Sequence, residues 1–364
     1  MDKEMLELYS DYLIASSGAT TATGLAQISG GGLSHDAVTR FLRESRTDSG
    51  MLWKLVKPLV RQLQQQSGDA GILIYDDTII EKPYTDENEI VNWYYDHSRG
   101  HHVKGMNLLT GLSHRNGVSV PVTFEVISKR ESVEAGTGRK RWKSGVTKNE
   151  HLRRTLGQCV KNGLEVRYVL ADSWYGCSAT MRYIKEELGI DFIMPLKGNR
   201  KVAVSRAAKE RGEYRAISSL PLEEHATKRV YLSGVAFAVL LSKVVFKNGD
   251  DTCGVLYLAA SDLEHGFEEI STTYNRRWAV EEYHQGLKSA VSVRRSPTKR
   301  VQTQRAHILA ALYAFVKLER ISKKLGRSRQ EIKSAIYFHG LRSALEKLSE
   351  FHAAARFKPI LCVR

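Results

Sequence analysis

The chain has 364 residues, with 55 Lys and Arg against 40 Asp and Glu, a formal net charge of +15 and 42% hydrophobic residues. At roughly 150 residues per folded domain this length allows two or three units, and the composition excludes a collagenous, low-complexity or wholly disordered chain. The apolar runs Val235 to Leu241 and Ile308 to Val316 have seven and nine residues, far short of the ~18 that a membrane span requires. A soluble globular protein with a polyanionic partner and no membrane is expected.

The opening MDKEMLELYS reads as an amphipathic helix without the apolar core and cleavage site of a signal peptide, which predicts a cytoplasmic protein. Residues 1–66 read as helices, interrupted at Ser29-Gly30-Gly31-Gly32. Ser34 suits the N-cap of the next helix, in which Val38, Phe41 and Leu42 recur at helical spacing while Arg40 and Arg43 face elsewhere. Helix, glycine turn and helix form the outline of a helix-turn-helix, and also of any helical hairpin.

From Gly71 the pattern changes to short β-rich runs at Ile72–Tyr75, Lys104–Ser113 and Val118–Ile127, the last two joined by Asn116-Gly117, a tight-hairpin signal. Thr147 and Glu150 then make a capping-box pattern for a helix to about Val160. A strand at Val166–Ala171, a helix from about Ser178 to Glu187 and a strand at Asp191–Leu196 follow. Three antiparallel strands and then alternating helices and strands predict an α/β protein with a ribonuclease H-like core, a mixed sheet flanked by helices. Residues 197–265 interrupt that order with a second β-rich stretch, Arg229–Val245 and Cys253–Ala260, joined across Asn248-Gly249. Helices resume near Asp262 and run to the end. Cys159, Cys177, Cys253 and Cys362 are far apart and form no C-x-x-C pair, as expected of free thiols in a reducing compartment.

Charge is concentrated in two places. Lys129–Arg154 carries nine Lys and Arg against three Glu, and Lys288–Gln330 carries twelve against one. Either run alone reads as a solvated face, but both flank candidate carboxylates. The segment ILIYDDTII places Asp76 and Asp77 at the end of one apolar strand, and VRYVLADSWYG places Asp172 at the end of another. Acids at the carboxyl ends of neighbouring strands converge into a site for Mg²⁺. A third acid lies in YNRRWAVEEYHQGLK. At ~100° per residue, with Tyr274 as zero, Arg277 falls near −60°, Glu281 near −20° and Lys288 near −40°. One narrow face of a continuous helix would therefore carry an acid beside a tyrosine and two cations.

The pattern Y-x2-R-x3-E-x6-K, filled by Tyr274, Arg277, Glu281 and Lys288, resembles the signature of DDE transposases of bacterial insertion-sequence family 4. Asp76-Asp77-Thr78 and the ADSWYG stretch around Asp172 resemble that family's other two acid motifs. The D-x-T phrasing favours Asp76 over Asp77 as first acid. The resemblance, from about residue 70 to 320, implies a β-strand insertion between the second Asp and the Glu, here 109 residues apart. It also implies cut-and-paste transposition of an element bounded by terminal inverted repeats.

The chemistry expected is metal-dependent cleavage and strand transfer with two Mg²⁺ ions, or Mn²⁺ as substitute. Asp76 would bridge both ions, and Asp172 and Glu281 would each complete one site. Arg277, Lys288, Tyr274, Arg294 and Arg295 would hold phosphates, while Arg40 and Arg43 would read double-stranded DNA. Family members often hold a flipped base with an aromatic residue of the insertion. Residues 197–265 contain no Trp, and their other aromatic residues include Tyr231, Phe237, Phe246 and Tyr257. Partners would be the terminal repeats, target DNA and a second copy in the synaptic complex, in a bacterial cytoplasm at the nucleoid. The expected organisation is a helical DNA-binding part (1–66), the core (67–196 and 266–320), the insertion (197–265) and a helical C-terminal region (321–364). Two rival readings are a nuclease of the same fold that never joins DNA and a catalytically silent repressor, the latter disfavoured by three intact acids.

Overall fold

Helices open the chain, and a side chain caps the start of each. Asp2, Thr21, Ser34 and Asp48 accept from Met5 N, Gly24 N, Ala37 N and Met51 N at the starts of α1 (Lys3–Ala15), α2 (Ala22–Ile28), α3 (His35–Glu44) and α4 (Ser49–Gln65). Ser34 is thus the expected cap, and Val38, Phe41 and Leu42 are buried as their spacing predicts. The computed structural model describes residues 2–66, 68, 71–96, 99–134, 140–247, 249 and 251–355, without the side chains of 131–141. Arg139, Asn248 and Cys362 lie outside the described residues.

Strands follow as β1 (Ile72–Glu81), β2 (Asn92–Asp96), β3 (His101–Arg115), β4 (Val118–Val126), β5 (Glu131–Glu134) and β6 (Lys140–Lys143). Next come α5 (Lys148–Lys161), with the Thr147/Glu150 capping box in place, β7 (Tyr168–Ala171), α6 (Ser178–Arg182) and β8 (Asp191–Leu196). A π-helical turn at Tyr183–Glu187 extends α6. The insertion holds β9 (Lys201–Ala203), α7 (Arg206–Glu210), β10 (Arg215–Ala216), β11 (Thr227–Leu232), β12 (Val239–Lys247) and β13 (Cys253–Ala260). The chain ends in α8 (Phe267–Asn275), α9 (Trp278–Ser289), α10 (Val301–Leu325) and α11 (Arg329–Ala354).

Eleven strands form one sheet in the order β10-β9-β11-β12-β13-β8-β7-β1-β3-β2, with β4 also on β3. Strands β1, β7 and β8 are parallel, and β3 and β4 run antiparallel beside β1. The order β4-β3-β1-β7-β8 is the mixed, ribonuclease H-like arrangement expected from the sequence. The insertion continues this sheet, because β13 pairs antiparallel with β8 along Tyr257↔Leu196 to Ala260↔Ile193.

Three local expectations are corrected. Arg229–Val245 is two strands, since the chain turns at Ser233-Gly234, where Gly234 takes φ +77°. The first strand does not stop at Tyr75 but runs ten residues to Glu81, because β3 pairs with it throughout. Asp76 and Asp77 therefore sit in mid-strand, just beyond the last β7 partner, Tyr75↔Ala171. The helix expected across Tyr274–Lys288 is broken at Arg276-Arg277, where the amides of Arg276, Arg277, Ala279 and Val280 bond three residues back instead of four.

The chain divides into two compact units. One, Arg46–His284, contains the whole sheet, and its α4 packs on β4. The other joins Met1–Ser45 to Gln285–Arg364, and in it α1 and α3 pack on α10.

The β3–β4 connection shows how local sequence fixes register. Arg115 pairs with Val118 across Asn116 and Gly117, at φ +50° and +69°, the two left-handed residues of a type I′ turn. Gly117→Ala is expected to destabilise the protein by about 1 kcal/mol. Urea denaturation measures this, and an unchanged midpoint would contradict the turn assignment.

Candidate functional site

Successive side chains of a strand point to opposite faces of its sheet, so Asp76 and Asp77 part company. Tyr75 bonds Thr155 of α5, which marks the odd-numbered face of β1 as the α5 side. There Asp77 Oδ2 accepts from Asn107 Nδ2 and Lys148 Nζ, both at 2.6 Å, and Oδ1 accepts from Tyr175 OH. Burial pushes this carboxyl up, but the Lys148 charge and these hydrogen bonds outweigh it and hold Asp77 below the usual carboxylate range. Asp77 is a satisfied structural anion.

Asp76 faces α9. Its cross-strand partner Thr110 bonds Tyr283 of that helix at 3.4 Å. Arg277 Nη1 and His284 Nδ1 lie 3.8 and 4.0 Å from Asp76 Oδ2, and Arg277 Nη1 lies 3.3 Å from Glu281. Burial is the largest influence on Asp76, and the charges of Asp77 and Glu281 add to it, so its carboxyl is pushed up to about 7. The two neighbouring aspartates thus differ in kind. One is neutralised by its surroundings, and the other is a crowded acid whose charge calls for a cation.

Asp172 follows β7 in extended backbone and accepts from Ser173 N at 2.6 Å. Asp76 and Asp172 are the residues that follow the last β1–β7 pair, Tyr75↔Ala171, and the cluster of Asp76, Glu281 and His284 does not include Asp172. Its charge reaches the same cluster. Burial lowers the Arg277 guanidinium, yet Tyr274, Asp76, Glu281 and Asp172 together hold it above its ordinary value. The Tyr274 hydroxyl is pushed up to about 12, chiefly by burial. Tyr274 is buried at the end of α8, with its ring centroid 5.9 Å from the Arg277 guanidinium. It therefore packs beside Arg277 without sharing a helical face with Glu281.

Asp76, Glu281 and His284 each offer a ligand atom, and these atoms lie within 4.8 Å of one another. Two carboxylates and an imidazole fit a divalent cation: the oxygens suit Mg²⁺ or Mn²⁺, and the imidazole suits the latter. The sequence reading missed His284, although its i+3 spacing from Glu281 puts both on one helix face. It also missed Lys148, counted only as part of a basic run. Glu282 is exposed, away from this cluster.

The other candidates belong to the second unit or its end of α9. Lys288 is two helical turns beyond Glu281 and partly exposed. Arg294 is exposed, whereas Arg295 is partly buried and its carbonyl accepts from Thr20 N at 3.1 Å. On α3, Arg43 pairs with Glu44 at 3.0 Å, and Arg40 borders a depression with Asp2, Met5 and Glu44.

Two families of known proteins match the chain. Residues 2–225 match the family described as "DDE superfamily endonuclease". Residues 129–326 match the family described as "Archaeal putative transposase ISC1217". No curated protein matches the chain.

Because the folded protein holds Asp76 near 7 against an ordinary 3.8, its charge opposes folding. That penalty is absent below about pH 4, grows between pH 4 and 7, and is complete above 7. Asp76→Asn is therefore expected to stabilise the metal-free protein above pH 7, by at most on the order of 4 kcal/mol, with the gain vanishing towards pH 4. Thermal melts of both proteins across this range measure it, and a gain largest at acid pH would contradict the assignment.

Proposed function

The chain belongs to the DDE superfamily of endonucleases, and from that premise we propose that it is a DNA transposase of the insertion-sequence family 4 type. In this reading it binds the terminal inverted repeats of its element, cuts the DNA there and joins the freed ends to a target. The observation that carries the reading is the meeting of Asp76, on the central strand, with Arg277, Glu281 and His284. Divalent metal use follows from the family. Asp76, Asp172 and Glu281 would hold two Mg²⁺ ions, with Mn²⁺ as substitute, and His284 would offer a further ligand atom beside Asp76 and Glu281. When bound, such ions supply Lewis acidity to the phosphodiester and to the attacking water or 3′-hydroxyl.

The chain's own residues supply the rest. Arg277 spans Asp76 and Glu281, which holds both carboxylates in place and leaves a planar guanidinium for a phosphate. Lys288 presents a second cation further along α9. Lys148, Asn107 and Tyr175 clamp Asp77 and so fix the strand that carries Asp76. Trp174 and Trp278, 59% and 65% exposed, follow Asp172 and Arg277 closely in the chain and offer flat faces to nucleobases. Sequence recognition is assigned to residues 1–66, with Arg40 and Arg43 as contacts, and phosphate binding to the segment around Arg294 and Arg295. The site of action is the bacterial cytoplasm, where the nucleoid DNA lies.

Duplexes carrying the DNA that flanks the reading frame test the chemistry. Asp76→Asn, Asp172→Asn and Glu281→Gln are each expected to lower metal-dependent cleavage at least about a hundredfold while leaving DNA binding intact. Asp77→Asn is expected instead to destabilise the fold, because it strips Lys148 of its buried partner. Normal cleavage by Asp76→Asn would overturn the reading, and cleavage without joined products would favour the non-joining nuclease.

DNA affinity is expected to fall steeply with salt. Neutralising the exposed Arg294, Lys299 and Arg300 together should flatten the slope of log K against log salt by about 0.9 for each phosphate that the protein ceases to neutralise. An unchanged slope would return this run to the role of a solvated face.

A further inference from the structure

The sheet ends at β2, whose one partner among the described strands is β3. Edge strands ordinarily show charged side chains or proline to solvent, yet this one shows Trp93 and Tyr95, each 47% exposed. Tyr84, in the turn that leaves β1, is 93% exposed. All three lie in the unit Arg46–His284. None belongs to the insertion or to the cluster of Asp76, Glu281 and His284.

The register decides which face the two rings of β2 share. Thr110 is the partner of Asp76, and the even-numbered residues of β3 from Thr110 down to His102 stay on that side of the sheet. Trp93 pairs with Lys104 and Tyr95 with His102, so both rings stand on the face of Asp76, about 20 Å from it along β3. Lys104 Nζ lies 6.0 Å from the centre of the Trp93 ring, and the His102 ring meets Tyr95 edge-on at 5.2 Å. The acids at this end of the strands, Glu81 and Asp96, alternate to the other face, and Arg99 pairs with them at 3.2 and 3.8 Å. Trp93 Nε1 donates to Glu87 at 2.8 Å, which fixes the indole while leaving it exposed. Side chains two residues apart on a strand are separated by about 7 Å. The edge therefore presents two flat rings in a row, each with a nitrogen donor beside it.

We propose that this end of the sheet binds unpaired DNA, one base stacking on Trp93 and the next on Tyr95, with Lys104 and the His102 imidazole beside the phosphates. Bases within a duplex are covered by their neighbours, so a strand opened out of the duplex is what such rings can take. A protein partner docking on the rings would have to desolvate Lys104, whereas a polyanion neutralises it. Stacking accepts any base, so the site is tolerant of sequence. It needs no metal, and it does not depend on the carboxylates cutting DNA.

Fluorescence anisotropy with the full chain in EDTA provides the test, using labelled single strands of about twelve nucleotides, all thymidine or all deoxyadenosine, and a duplex of the same length. Both single strands should bind with comparable affinity. W93A and Y95A should each weaken single-strand binding about tenfold, and together about a hundredfold, leaving duplex binding and the slope of log K against log salt unchanged. K104Q should instead flatten that slope by about 0.7. W93F/Y95F keeps two ring faces and should retain the binding, whereas W93L/Y95L keeps apolar bulk alone and should bind as weakly as the alanine pair. Circular dichroism and the thermal midpoint verify that each variant is folded. A wild-type chain that does not bind the single strands, or undiminished binding by a folded W93L/Y95L, would overturn the proposal. So would an equal loss of duplex binding, and tighter binding of a uridine RNA strand than of the thymidine strand would overturn the assignment to DNA.

Discussion

The alternation of side chains along β1 is the constraint on which the rest of the site depends. Two adjacent aspartates in mid-strand cannot share an environment, because the pleat sends them to opposite faces of the sheet. The β1–β3 pairing runs unbroken from Ile72↔His114 to Glu81↔Gly105, so there is no bulge at which the alternation could be reset. One face supplies Lys148, Asn107 and Tyr175, and the carboxylate there is fully engaged. The other supplies Arg277, Glu281 and His284, and the carboxylate there is held near neutrality. A one-residue slip of β1 would exchange these roles and bury an uncompensated charge beside α5.

The break between α8 and α9 serves the same arrangement. A continuous helix through Tyr274 would have carried Tyr274, Arg277 and Glu281 in one row. The tightened bonds at Arg276-Arg277 instead leave Tyr274 buried, with its ring under the Arg277 guanidinium, while the first turn of α9 presents Glu281. The Y-x2-R-x3-E-x6-K spacing thus spans two elements that meet at a bend, and the rotation of one continuous helix does not describe it.

Much of this was legible from sequence where the determinants are local. The Ser34 cap, the Thr147/Glu150 box and the Asn116-Gly117 turn each depend on a few neighbouring residues, and each is found as expected. The fold class was legible because alternating elements permit few arrangements. What escaped was long-range. Asp76 and Asp77 are poor strand residues by propensity, so pairing with the fifteen-residue β3 carries β1 through them. Lys148 gains its role from a partner 71 residues away, which no window along the chain reveals. His284 was within reach, since its i+3 relation to Glu281 is written in the sequence.

The central claim is that Asp76, and not Asp77, is the acid that waits for a cation. Calorimetric titration of Mn²⁺ into the metal-free protein at pH 6 and pH 8.5, in buffers of different ionisation enthalpy, counts the protons released on binding. With the Asp76 carboxyl near 7, about one proton should be released at pH 6 and almost none at pH 8.5. Asp76→Asn should lose the binding altogether. Equal proton release at both pH values, or undiminished Mn²⁺ binding by Asp76→Asn, would contradict the account.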